Sequence, residues 1–216
     1  MTGMRPIRWM AEHPNALLLG GQVFVLLGYP GLGDTTLGRA VLGVVQLLVV
    51  LSAVAAVRRS PALTWVALVF GAPATVFAVW ESVSPGTDWV VLVSACCHVP
   101  FYLFVSYALI RYVFNDDEVT RDELFATAGA FTVVAWAFAY AYAAVQVIWP
   151  GSFGADRTWF ELLYLSFTTL TSVGLGDFGP VGDHARSVVV LEQIGGVFYV
   201  ALVVSRLVGL TIRRSR

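Results

Sequence analysis

The stretch FTTLTSVGLGDFGP, Phe167–Pro180, decides how this chain is read. It is rich in hydroxyls and glycines, yet it stands between two long apolar segments. Irregular backbone is tolerated at membrane depth only where protein buries it or where it lines a water-filled space, because lipid offers no hydrogen bonds. The peptide is therefore expected to line a cavity, and its flanks are expected to be membrane helices.

Composition carries that reading outward. The chain has 216 residues, of which 58% are hydrophobic and 12% charged, with a mean hydropathy of +0.77. That is far more apolar than a soluble domain of this size. Apolar runs approach the roughly 20 residues a helix needs to cross a hydrocarbon core of about 30 Å, and charges collect between the runs. Spans are expected at Ala16–Tyr29, Leu37–Val57, Ala62–Trp80, Trp89–Phe114, Leu124–Trp149 and Ser187–Ile212, with a shorter re-entrant helix at Thr158–Leu170. The first span is short and contains glycines, so it either begins earlier, near Ile7, or tilts. It lacks a small-residue cleavage site after its apolar run and is expected to stay in the membrane. A net charge of -1 leaves no nucleic-acid footprint and no acidic tail. All 13 basic residues are Arg, a compositional bias rather than a mechanism. Cys96 and Cys97 are adjacent and read as buried small hydrophobes rather than as a disulfide or metal pair.

Orientation follows from the arginines. With the N-terminus cytoplasmic, Arg5, Arg8, Arg58, Arg59, Arg111, Arg121, Arg213, Arg214 and Arg216 lie inside, leaving mainly Arg39, Arg157 and Arg186 outside, as the positive-inside rule requires. Both termini are then cytoplasmic, and the segment between Trp149 and Ser187 enters and leaves from the outer face. Between spans four and five, Asp116, Asp117, Glu118, Asp122 and Glu123 cluster on the cytoplasmic side. Thr120 and Glu123 have the spacing of a capping box, so the cluster reads first as a solvated helix start. A divalent-cation or proton sensor is the other reading.

Ser172-Val173-Gly174-Leu175-Gly176-Asp177 resembles the selectivity filter of tetrameric potassium channels, and Leu124–Ile212 as a whole resembles their outer helix, pore helix, filter and inner helix. The resemblance implies an all-α membrane protein of the prokaryotic potassium-channel type: six transmembrane helices plus a re-entrant pore helix and filter, assembled as a homotetramer in the cell membrane among lipids. It divides the chain into a four-helix domain at 1–114, a cytoplasmic linker at 115–121 and a pore domain at 122–216. Potassium is the permeant ion, held by the carbonyls of Ser172, Val173, Gly174 and Leu175 and by the Ser172 hydroxyl, with Gly176 completing the filter. Thr168, Thr169 and Thr171 belong to the pore helix. Alternating backbone conformation would aim consecutive carbonyls the same way. Gly174 and Gly176 can take positive φ, while Val173 and Leu175 send their side chains back into supporting protein.

The sequence departs from the commonest family pattern at several points. Ser172 stands in place of Thr and keeps the ligand oxygen. Leu175 stands in place of Tyr and loses a bracing phenol, although the GLGD string is similar to the second pore loop of animal two-pore-domain potassium channels. Tyr164 and Thr168 occupy positions where some members have a Trp and a Glu tied to the residue matching Asp177, so that outer brace is weakened or rebuilt. Asp177 either concentrates cations at the outer mouth or hydrogen-bonds the end of the loop. A second GLGD, Gly31–Asp34, lacks the upstream helices of a pore unit and reads as a turn. One pore loop per chain then calls for four chains to close a ring.

In the last span, Gly196 falls at the family's hinge glycine, beside Gly195. The alternative is a small residue that permits close helix packing. Glu192, one turn earlier, is an ionisable group within the membrane, placed behind the filter, where it either acts in gating or hydrogen-bonds the pore helix. The fourth span carries only Arg111 and His98 where a voltage sensor needs several arginines, so strong voltage gating is not expected. His98, beside Pro100, reads as a packed histidine, with a proton sensor as the alternative. The chain is thus read as a potassium-selective, passively conducting channel and not as an enzyme. A weakly selective cation channel, or a transporter or enzyme subunit, is the alternative.

Overall fold

The computed structural model describes residues 14–33, 38, 41, 45, 49, 69–77, 80, 87–114 and 121–214. Among them the elements are all helical: α1 (Pro14–Leu32), α2 (Asp88–Val113), α3 (Arg121–Ile148), α4 (Trp159–Leu170) and α5 (Asp183–Arg214). Four of these are long and apolar enough to cross a membrane, over Asn15–Leu32, Asp88–Val113, Asp122–Ile148 and Asp183–Arg206. The spans expected at Leu37–Val57 and Ala62–Trp80 fall largely outside the described residues, as do the 115–120 part of the acidic cluster and Thr120 of the expected capping box.

Helix α3 is the centre of the bundle. Its inward stripe is rich in alanine, with Ala126, Ala130, Ala137 and Ala139 buried, and small residues let helices approach closely where lipid supplies no hydrophobic drive. Phe101, Tyr102, Val105 and Leu109 of α2 fill the space opposite, together with Val133 and Trp136. Ser106 ties α2 to α3 by donating to the Ala130 carbonyl, at 3.3 Å.

Helix α1 runs alongside α3 in the same direction. Asn15 donates to Asp122 (2.7 Å), Thr132 donates to Gln22 (2.6 Å), and Tyr29 stacks on Phe160 at the start of α4 with ring centroids 4.6 Å apart. Gly129 leaves room for Leu18, which would stand 3.3 Å from a Cβ there. Contrary to the expected end at Tyr29, α1 continues through Pro30 to Leu32, so Gly31 and Leu32 of the second GLGD are helical and the turn comes at Gly33. The stacking of Tyr29 and the bond from Gly33 N–H to the Tyr29 carbonyl (2.8 Å) hold this end despite the donor missing at Pro30.

Two further expectations are corrected. Asp122 and Glu123 do start a helix but are buried rather than solvated: Asp122 accepts from Asn15 and from Tyr112 (3.3 Å), and Glu123 forms an ion pair with Arg206 of α5 at 3.1 Å. Burial of carboxylates at this depth is stable because each has partners. Cys96 is exposed and Cys97 half-buried; both are free thiols. His98 is buried as a packed histidine, stacked on Tyr140 at 4.0 Å with Nδ1 2.8 Å from the Ser94 carbonyl.

Helix α5 passes unbroken through Gly195 and Gly196. The two glycines differ in surroundings. A Cβ at Gly196 would lie 2.0 Å from the Leu170 carbonyl oxygen, at the end of α4, whereas one at Gly195 meets nothing within 4 Å. Gly196 is thus a point of close packing between α5 and the end of α4. Gly196→Ala is expected to lower stability by about 1–3 kcal/mol through overpacking, while Gly195→Ala is expected to be neutral or to gain up to about 1 kcal/mol from helix propensity. Thermal unfolding of the two variants in detergent, followed by circular dichroism, separates them; equal midpoints would contradict this packing.

Candidate functional site

The site begins with α4. Its N-terminus is fixed by a capping box: Thr158 accepts from the Glu161 N–H at 3.3 Å, and the Glu161 carboxylate accepts from the Thr158 N–H at 2.7 Å. These bonds hold the Glu161 carboxyl below its ordinary value, so the box is intact near neutrality and is lost as the pH falls through that depressed value. Arg157, just before it, is gripped by Gln146 of α3, whose side chain accepts from the Arg157 N–H (2.8 Å) and donates to its carbonyl (3.0 Å).

The far end of α4 is closed by main-chain bonds. Ser172 N–H donates to the Thr169 carbonyl (2.9 Å) and Val173 N–H to the Thr168 carbonyl (3.0 Å), with Ser172 at a φ of 58°. That pair of bonds around a left-handed residue is a Schellman cap, in which glycine is the usual occupant. A serine there carries about 1 kcal/mol or more of backbone strain. The Gly174 N–H also reaches the Thr168 carbonyl, at 3.1 Å. Thr168 and Thr169 lie in the last turn of α4 and Thr171 is its C-cap.

Beyond the cap, φ alternates in sign. It is positive at Ser172, Gly174 and Gly176 (58°, 58° and 77°) and not at Val173 or Leu175. Gly174 and Gly176 take the positive φ expected of them; Ser172 takes it without the freedom of a glycine. Residues 171–177 are exposed in the chain. The side chains of Val173 and Leu175 are 62% and 59% exposed in the single chain: α4 supports the loop through its main chain and leaves these side chains uncovered within it.

Asp177 is braced from α4. The Tyr164 hydroxyl donates to its carboxylate at 2.9 Å, so a phenol on α4 ties down the outer end of the loop. The carboxylate in turn raises the Tyr164 phenol above its ordinary value. The return path is also pinned. Val181 and Gly182 N–H donate to the Ser152 carbonyl (2.8 and 3.2 Å), and the Arg157 guanidinium lies 4.3 Å over the Phe178 ring.

Behind the loop, Glu192 of α5 is fully buried and bonded to Ser166 of α4 and Tyr142 of α3. The structure therefore brings together Ser172–Asp177, the α4 threonines Thr168, Thr169 and Thr171, and Glu192, and places Gly196 directly beneath the C-terminal end of α4. Gly195 stands apart from this contact. Sequence reasoning missed Tyr142, Ser166 and Gln146. A lone hydroxyl or amide within a run of apolar residues was the available signal, and it does not say which distant residue it meets.

Tyr164→Phe is expected to loosen the outer end of the loop. Hydrogen–deuterium exchange should speed up at the amides of Gly174–Phe178 while leaving those of α3 unchanged; an unchanged rate at Gly174–Phe178 would show that the brace carries no weight.

No curated protein and no solved structure matches the chain. Residues 128–213 match a family model whose description is ion channel. From α3 through the loop to α5, the chain is similar to an ion-channel domain.

Proposed function

We propose that four copies of this chain form a potassium-selective channel, with Ser172–Gly176 of each copy as one wall of the filter. The observation that carries this reading is the alternation of φ sign over Ser172–Gly176 directly after a capped helix. A dehydrated cation needs a cage of oxygens in place of its water, and stacked main-chain carbonyls supply one when successive peptides are turned the same way. One chain offers only one wall, so the cage requires a ring.

Exposure supports assembly. Only 17% of the most apolar window of α5 is buried in the chain, against 50% for α3. Val190, Leu191, Ile194, Val197 and Phe198 are all exposed. Together with the bare side chains of Val173 and Leu175, they form a surface that neighbouring copies and lipid would cover. The loop starts at the C-terminal end of α4. A helix end carries roughly half a negative charge, which favours a cation waiting there.

In this reading the carbonyls of Ser172, Val173, Gly174 and Leu175 replace the hydration shell of potassium, the Ser172 hydroxyl adds an oxygen at the inner end, and Asp177 draws cations to the outer mouth. Conduction is passive. Leu175, lacking a phenol and 59% exposed, also supports a second reading, a weakly selective cation channel.

Purified protein in liposomes tests both. Potassium flux that barium blocks, with a reversal potential following the potassium gradient, is the expected result. A reversal potential insensitive to exchanging potassium for sodium would favour the weakly selective channel, and no cation flux would overturn the proposal.

A further inference from the structure

Glu192 sits at a junction of three helices. Its Oε2 faces the Tyr142 hydroxyl of α3 and its Oε1 faces the Ser166 hydroxyl of α4, while Ser166 Oγ also lies 2.8 Å from the Ala135 carbonyl. Glu192 and Ser166 are both fully buried within a single chain, so the junction is complete before any neighbour is added.

Counting protons decides the state of the acid. A serine hydroxyl holds one proton and a carbonyl oxygen none. Ser166 must be the donor to Ala135, so the proton in the Ser166–Glu192 bond has to come from Glu192. Tyr142 then donates to Oε2. The result is a directed chain, Tyr142 to Glu192 to Ser166 to Ala135, in which each hydroxyl donates once. An ionised Glu192 would leave this chain one proton short. Among the described residues the one titratable side chain bonded to it is Tyr142; α4 presents Ser166, which does not titrate, and no ion pair reaches it. A buried carboxylate without a cation is unfavourable.

We propose that Glu192 is a proton-binding site, held as the neutral acid that donates to Ser166, and that its proton couples the support of the Ser172–Gly176 loop to pH. The coupling is structural: Ser166 belongs to α4, whose Thr168 and Thr169 carbonyls accept the amides of Ser172, Val173 and Gly174. When the proton leaves to water, Ser166 has to choose between Ala135 and the carboxylate, and the joint between α3, α4 and α5 loosens beneath the loop. Glu192 is thus a positioning residue, acting on the loop through Ser166 and α4.

Infrared spectroscopy of the full chain in liposomes across a pH series reads the proton directly. The expected result is a protonated-carboxyl band at neutral pH that shifts in D2O, is lost at alkaline pH, and is absent from Glu192→Gln. No difference between wild type and Glu192→Gln at neutral pH would overturn the proton site. The coupling to conduction rests on the channel reading above and has its own arm. Potassium flux should be lost at alkaline pH in the wild type and kept in Glu192→Gln, whose amide donates to Ser166 and accepts from Tyr142 without titrating. The same alkaline loss in both proteins would overturn the coupling. Absence of flux at every pH would count against the channel reading, and the infrared arm would still decide the proton site.

Discussion

An irregular main chain between two membrane helices has to find every hydrogen bond within protein or against water, and the fold around Phe167–Pro180 is arranged to meet that constraint. The carbonyls of Thr168 and Thr169 take up the amides of Ser172, Val173 and Gly174, and the Ser152 carbonyl takes up those of Val181 and Gly182. Between these two anchors no hydrogen bond among the described residues engages the carbonyls of Gly174–Asp177. In the proposed channel those carbonyls are what the molecule offers a cation. A loop whose carbonyls were all bonded internally would have nothing to give a cation.

The rest of the chain holds α4 at the angle that makes this possible. Helix α3 supports it along its length, through Ser166 to Ala135 and through Gln146 to Arg157. Helix α1 reaches its start through Tyr29 and Phe160. Helix α5 comes close enough to touch its end because residue 196 has no side chain. At the opposite end of the bundle the Glu123–Arg206 pair fastens α5 to the first turn of α3, with Arg206 5.3 Å over the Phe114 ring. Helix α5 is therefore held at two levels, by Glu192 near the loop and by Arg206 far below it, while most of its apolar surface stays open.

Much of this was legible in the sequence, and the limits have physical causes. Helices α2, α3, α4 and α5 were found within a few residues of their bounds, because apolar run length and helix-start residues are local signals. The positive φ at Gly174 and Gly176 was readable because glycine advertises it; that at Ser172 was not, because serine at a left-handed cap looks like any other hydroxyl. The partners of Asp122 and Glu123 lie 107 and 83 residues away, and composition near an acidic cluster cannot reveal a distant Asn15 or Arg206. Gly196 shows the same limit. A glycine in a membrane helix suits a hinge and a tight contact equally, and the tight contact shows only once the Leu170 carbonyl is placed.

The central claim is that main-chain oxygens from four chains meet on one axis and take the place of water around potassium. Electron density of the protein in lipid with thallium substituted for potassium tests it most directly, since the heavier ion marks its own position by anomalous scattering. The account predicts a line of peaks along a fourfold axis, level with the carbonyls of Ser172, Val173, Gly174 and Leu175. A protein that carries no peaks there, or whose Val173–Gly176 segments face outward with no shared axis, would contradict it.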